Sequence, residues 1–317
     1  MRPAIVLTAA VLLGLSWGRD CAADDSRKLL RPSPRVLTDP VVYYSPLLFT
    51  KKGEPKPGEW MAEHPEPRQP FSEYARSGPI RPTRGRHTLV ISPVGPMSEE
   101  EKARLAVLRE FLEAYYTLPV RIGKPLGLAG VTSRQRSIFG RTLRQYLTGD
   151  ILHQILRPSL PSDAMCLLGV TMEDLYPEPS WNYVFGQAML TQRVGVYSLV
   201  RFYPTFWGRS ETDAAMQKGL VRSLHTLVHE TGHMFGVHHC QQYDCVMNGS
   251  NSLAESDTQP IHLCPVCLRK FRWDIGFDMV ARYEGLRKFY EAHGMKVEAA
   301  WVAKRIGQCR GEKVAAE

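Results

Sequence analysis

The chain has 317 residues, of which 44% are apolar and 23% charged, an ordinary balance for a globular protein. That balance excludes a wholly disordered, collagen-like or multi-spanning membrane chain. Forty basic residues against 32 acidic ones leave a formal charge of +8, too mild an excess to argue for nucleic acid or an anionic membrane as a partner. The seven cysteines say more, because Cys240, Cys245, Cys264 and Cys267 all fall within 28 consecutive residues.

In chain order, residues 1–23 have the parts of an export signal. Arg2 supplies a positive start, residues 4–15 an apolar run, and Cys21-Ala22-Ala23 a small-x-small site that places cleavage before Asp24. The apolar run is shorter than the roughly 20 residues that span a bilayer. The expectation is therefore a secreted or periplasmic protein without a stable membrane anchor after cleavage; an uncleaved anchor is the lesser reading. Residues 24–87 then hold eleven of the 23 prolines, interspersed with Tyr43, Tyr44, Phe49, Trp60, Phe71 and Tyr74. Proline removes donors and fixes φ, so this stretch reads as an extended strap laid on a globular body, with a loose linker as the plain alternative.

The body begins near Thr88, where residues 88–92 form a short apolar run bounded by proline and glycine, a buried strand. Ser98 and Glu101 make a capping box for a helix whose apolar stripe is Leu105, Leu108, Leu112 and Tyr115. Further strands are expected at 120–122, 165–170, 183–188 and 194–203, with a helix at 141–155 and another at 268–295. The order suggests a mixed sheet backed by helices. Cys166, inside a strand run, reads as an inert buried thiol.

The most informative segment runs from Leu224 to Cys240. Leu220, Leu224, Leu227 and Val228 recur at helical spacing behind Asp213, a reasonable N-cap, so a helix is expected from there to Phe235. On it His229 and His233 lie one turn apart on the same face and can grip one ion. Glu230 sits about 100° round the helix, where it can reach a water on that ion. Gly236 can turn the chain back sharply, which lets His239 supply a third nitrogen. Three histidines leave a tetrahedral zinc with one open position, the arrangement of a catalytic site. His225 and His238 read as neighbours of this site or as surface groups.

His229-Glu230-x-x-His233-x-x-Gly236-x-x-His239 is the signature of the metzincin clan of zinc metallopeptidases. With Cys240, Cys245-Val246-Met247 and Cys264-Pro-Val-Cys267 following it, and with residues 60–67 ahead of it, the chain resembles the archaemetzincin family over about residues 42–290. Sixteen residues separate Met247 from Cys264, one fewer than is usual in the family, and the export signal is a second departure. The resemblance implies an α+β, metzincin-like two-lobed zincin: a mixed twisted sheet with backing and active-site helices, plus a mainly helical cysteine-rich C-terminal lobe. The expected division is a signal at 1–23, a proline-rich extension at 24–87, a catalytic lobe at 88–235 and a C-terminal lobe at 236–317.

It also implies roles. His229, His233 and His239 would bind a catalytic zinc, and Glu230 would serve as general base and acid for a zinc-bound water that hydrolyses a peptide bond. Met247 would form an apolar floor beneath the ligands. Cys240, Cys245, Cys264 and Cys267 would hold a second, structural zinc, giving two Zn2+ per chain. In an oxidising compartment the same four cysteines could instead form two disulfides. A nucleic-acid-binding zinc ribbon would need a basic, aromatic face that is not visible around them. The expected partner is a peptide or protein substrate and not a nucleic acid; the alternative function is a catalytically silent, zinc-stabilised peptide-binding protein of the same fold. Gly249 occupies the position where some metzincins place an additional tyrosine ligand. Cys309 could be free or paired with Cys166.

Overall fold

The structure is a computed structural model that describes residues 39–312. The signal at 1–23, the first residues of the strap and the last five of the chain lie outside the described residues. Two short helices, α1 (Trp60–Glu63) and α2 (Phe71–Arg76), interrupt the strap before the body begins at β1 (Thr88–Pro93). Then come α3 (Glu99–Tyr116), β2 (Val120–Ile122), β3 (Ser133–Ile138) and β4 (Arg141–Leu147). A helical passage follows, made of α4 (Thr148–Asp150), a π-helical turn (Ile151–Leu156) and α5 (Arg157–Ser159). Strands β5 (Ala164–Thr171), β6 (Asp174–Tyr176), β7 (Gly186–Ala188) and β8 (Val194–Ser198) precede the long α6 (Asp213–Met234). The chain closes with α7 (Leu253–Ser256), α8 (Pro265–Ile275), α9 (Met279–Ala292) and α10 (Lys296–Cys309).

The fold is the expected mixed sheet with helices. One sheet has the order β2-β1-β5-β8-β7, all parallel except β7, which pairs antiparallel with β8 at the edge; β3, β4 and β6 form a second, smaller sheet. Successive residues of β1 serve opposite faces. Leu89 and Ile91 join the core under α3 and α6, while Val90 packs with Ile151, Leu152, Leu156, Val194 and Val196. Covering both faces is what a mainly parallel sheet requires. The first of these cores is continuous with the C-terminal helices: Phe111 of α3 meets Phe289 of α9 with ring centroids 4.9 Å apart, and the Tyr115 hydroxyl donates to the Ile261 carbonyl.

Four expectations need correction. The helix at 141–155 begins only at Thr148, because 141–147 is the second strand of a hairpin. Phe139 (φ 50°) and Gly140 (φ 73°) make its two-residue turn, a primed turn without the usual Asn-Gly signature. The strand at 194–203 stops at Ser198, where the serine hydroxyl accepts from the Val200 amide and a 3-10 turn begins ahead of Pro204. The strand at 183–188 is regular only from Gly186. The helix at 268–295 is two helices, broken at Gly276 (φ 79°) and restarted by Asp278, which caps Ala281. In addition, α6 is capped by Thr212, with Asp213 as the first helical residue.

Candidate active site

The helix α6 crosses the core with thirteen buried residues, and the Tyr116 hydroxyl donates to its Val228 carbonyl at 2.7 Å. Its last two turns carry His229 and His233. Gly236, at φ 85°, then reverses the chain, a conformation that an L side chain rarely adopts. The reversal brings His239 back beneath the helix, and one nitrogen from each of His229, His233 and His239 comes to lie within 4.8 Å of the others.

Each imidazole is turned by a partner on Nδ1. His229 is held by the Val246 carbonyl at 2.8 Å, His233 by the Val237 carbonyl at 2.7 Å, and His239 by Glu66 Oε1 at 2.7 Å. The Nε2 atoms are thereby left to face one another, with those of His229 and His233 3.0 Å apart and that of His239 buried without a hydrogen-bond partner. Tetrahedral coordination at the usual Zn–N distance places ligand nitrogens roughly 3.3 Å apart. The donor set, its spacing and the orphaned nitrogen fit a zinc ion. Burial and the neighbouring imidazoles push His229 well below its ordinary pKa, and His233 falls to about 3 for the same reasons. Both are neutral at physiological pH, as ligating imidazoles must be.

Glu230 is 2% exposed, and burial pushes its carboxyl well above the ordinary carboxylate value. It faces Gly186 of the edge strand β7, where a Cβ would come within 2.6 Å of Oε1; its Oε2 has no hydrogen-bond partner among the described residues. A cavity of about 20 Å3, enough for one water, borders Glu230, His229 and His239. His225 borders the same cavity but stands outside the ligand cluster, and burial lowers its pKa to about 4. His238 is not part of the histidine cluster, and its amide donates to Gln69.

Gly232, unfavourable inside a helix, is explained by Met247: a Cβ there would lie 2.5 Å from the methionine Sδ. Met247 is fully buried against the ligand helix, and its carbonyl accepts from the Cys240 amide.

The Sγ atoms of Cys240, Cys245, Cys264 and Cys267 likewise lie within 4.8 Å of one another, and all four cysteines are free. Cys240 and Cys264 are 3.5 Å apart at sulfur, close to the roughly 3.8 Å of a tetrahedral zinc thiolate and far from the roughly 2 Å of a disulfide. The Cys264 amide donates to Cys245 Sγ, and Cys264 caps α8 by accepting from the Cys267 amide. Hydrogen bonds from the other three thiols lower the pKa of Cys240, whereas burial, and then hydrogen bonds with the neighbouring thiols, raise that of Cys245. Cys166 and Cys309 are free as well.

Composition marks the strap but does not reveal what it does at the site. Besides Glu66 on His239, Trp60 donates to Glu66 and packs on Gly249, where a Cβ would lie 2.1 Å from the indole. Gln69 holds the turn from both sides, donating to the Gly236 carbonyl and accepting from the His238 amide and Lys270. His64 lies between Trp60 and Trp181, stacked on each, with centroids 4.1 and 5.8 Å away. The contacts of Glu66 with His239, Trp60 with Gly249, Gln69 with Gly236 and His64 with Trp181 join residues more than a hundred positions apart, and no local spacing announces them.

A mixed sheet, a buried triple of histidines on a helix and its returning turn, and a buried glutamate beside them define a zinc metallopeptidase. The family described as "Peptidase family M54" matches residues 145–273. Archaemetzincin-2 of Macaca fascicularis is 35% identical over 263 residues, 74% of this chain and 72% of its own. The Homo sapiens archaemetzincin-2 is 34% identical over the same shares, and archaemetzincin-1 of Homo sapiens is 28% identical over 79% of this chain and 55% of its own. The solved archaemetzincin of Methanopyrus kandleri is 26% identical and superposes with a TM-score of 0.47 over 61% of this chain and 98% of that one. The chain belongs to the archaemetzincin family of zinc metallopeptidases.

Proposed function

We propose that the protein hydrolyses peptide bonds with Glu230 as proton carrier and His229, His233 and His239 as the ligands of the catalytic zinc. The observation that carries this reading is the convergence of three oriented imidazoles next to a buried carboxyl bordering a water-sized cavity. When bound there, zinc supplies a Lewis acid that polarises the scissile carbonyl and lowers the pKa of a water toward about 7. Glu230, buried beside the cavity, takes the proton of the attacking water and returns it to the leaving amine. Strand β7 is the sheet edge beside Glu230, so an extended substrate can pair with it through main-chain hydrogen bonds.

The four cysteines hold a second, structural zinc at the start of α8. Their mutual spacing and the amide donors on their sulfurs support this over a pair of disulfides. Export is part of the same reading and rests on residues 1–23 alone; the intact mass of secreted protein should begin at Asp24, and a retained full-length chain in the cytosol would overturn it.

The test of the chemistry is cleavage of a mixed peptide library by wild type and Glu230→Ala, with zinc quantified in both. Glu230→Ala should lose hydrolysis and keep both zinc ions, whereas His239→Ala should lose one. A wild-type protein that binds both ions and cleaves nothing would favour the silent peptide-binding reading.

A further inference from the structure

A cavity of about 160 Å3 lies away from the histidines, between α3, the loop at 260–262, α9 and α10. Leu286, Tyr290, Trp301 and Val302 make its walls largely apolar, and His262 stacks on Trp301 with centroids 3.8 Å apart. One charged side chain among its lining residues is out of keeping. Arg282 is 2% exposed and, among the described residues, is held by a bond from Nε to the Tyr115 carbonyl at 2.6 Å, while its Nη2 finds no hydrogen-bond partner there.

Among the described residues no carboxylate pairs with Arg282. Its surroundings are the rings of Tyr115, Phe277 and Tyr283, with centroids 4.7, 5.2 and 5.4 Å from the guanidinium carbon. Ring faces offset part of the cost of a buried cation, yet a guanidinium with an open donor in an apolar setting remains strongly favourable to an anion. Arg305, 0% exposed, also lies 5.4 Å from the Tyr283 ring centroid and adds a second buried positive charge. The one acidic residue bordering the cavity is Glu298 of α10, beside the exposed Val297.

We propose that this cavity binds a small apolar monocarboxylate, its tail against Leu286, Tyr290, Trp301 and Val302 and its carboxylate on Arg282. Two sources share that chemistry: a free short-chain acid, and the C-terminal residue of an apolar peptide. The second has a structural basis, because an adjoining groove shares Pro260, Ile261 and Glu298 with the cavity and includes His225 and Ser256, which also border the cavity beside Glu230.

Calorimetry on the full zinc-loaded protein tests it with octanoate against octanamide, a pair that differs only in the group offered to Arg282. Octanoate should bind at least tenfold more tightly. Val297→Trp, at the exposed mouth, should weaken octanoate about tenfold without changing zinc content or peptide hydrolysis. Glu298→Gln should tighten it, because an opposing charge is removed, and Arg282→Met should abolish the preference for acid over amide. Equal affinities for acid and amide, or no binding of either at millimolar concentration, overturn the proposal. So does octanoate binding that survives Val297→Trp unchanged, since the acid then sits on the catalytic zinc. An acetylated dileucine acid compared with its amide separates the sources: a preference for this acid over octanoate identifies the peptide terminus, and the reverse identifies the free acid. The acid–amide affinity comparisons need no turnover, so their failure leaves the peptidase reading standing.

Discussion

Glu66 Oε1 lies 2.7 Å from His239 Nδ1, a contact across 173 residues that ties the strap to the third histidine. Burial works to raise this carboxyl, but hydrogen bonds from His239 and Trp60 outweigh it and hold the pKa at about 2. The other two imidazoles are aimed by main-chain carbonyls, which no side-chain substitution removes. Carboxylates in this position orient the ring and raise its basicity, and their loss typically costs 10–100-fold in metal affinity. Glu66→Gln keeps an acceptor oxygen and should weaken zinc about tenfold, and Glu66→Ala about a hundredfold. Chelator competition measures both, and unchanged affinity in the alanine variant would refute the role.

Gly232→Ala separates helix propensity from packing. Propensity alone would stabilise α6 by about 1 kcal/mol. The new Cβ, however, would lie 2.5 Å from Met247 Sδ and 2.9 Å from its Cε. Overpacking of this kind costs about 1–3 kcal/mol, so the net effect should be a lower Tm, readable by calorimetry. Gly249→Ala should do more. Its Cβ would be 2.1 Å from Trp60 Cδ1, so the indole must leave and Glu66 loses a donor, and zinc affinity should fall together with stability.

The metal-free protein should show opposed pH dependences from two groups. Glu230 has a folded pKa above its ordinary 4.5, so the stability it contributes is complete below that value and is lost as pH rises through the raised pKa. His233 has a folded pKa pushed from 6.5 to about 3, so its contribution is complete above 6.5 and is lost as pH falls toward 3. Glu230→Gln mimics the neutral carboxyl. In chelator-treated protein it should raise Tm at about pH 8 and match wild type near pH 4, where both side chains are neutral. Equal Tm at the two pH values would contradict the burial of Glu230.

Cys264→Ser should remove one zinc per chain and lower Tm, while peptide hydrolysis at a temperature where the protein is folded is largely kept. Cys264 belongs to the sulfur cluster and also caps α8 by accepting from the Cys267 amide, so its loss touches the cluster and the helix start together. Free-thiol titration of the denatured wild type provides the check: four reactive thiols from this cluster are expected, and none if disulfides had formed.

The ligand helix was readable because its signals are local. His229 and His233 share a face by spacing and Gly236 marks the turn, although the cap is Thr212, one residue ahead of the expected Asp213. The hairpin at 133–147 was not. Leu143, Tyr146 and Leu147 satisfy a helical stripe as well as they satisfy β4, and Phe139-Gly140 is an unusual dipeptide for a primed turn. The break at Gly276 was hidden for a similar reason, since the apolar stripe continues across it with Phe271, Ile275, Met279 and Tyr283.

By itself, then, the sequence determined the chemistry on offer: three histidines, a glutamate and four cysteines at spacings that suit two metal ions, carried on a helix and the turns after it. Only the tertiary structure decided how that chemistry is held. Glu66 reaches His239, Trp60 fills the space that Gly249 leaves, Gln69 clamps the turn at Gly236, and Gly186 makes room for Glu230. Coordination geometry repeats within a few residues and so leaves a periodic trace. Orientation and burial come from side chains that meet only after the chain has folded, and such meetings have no period to read.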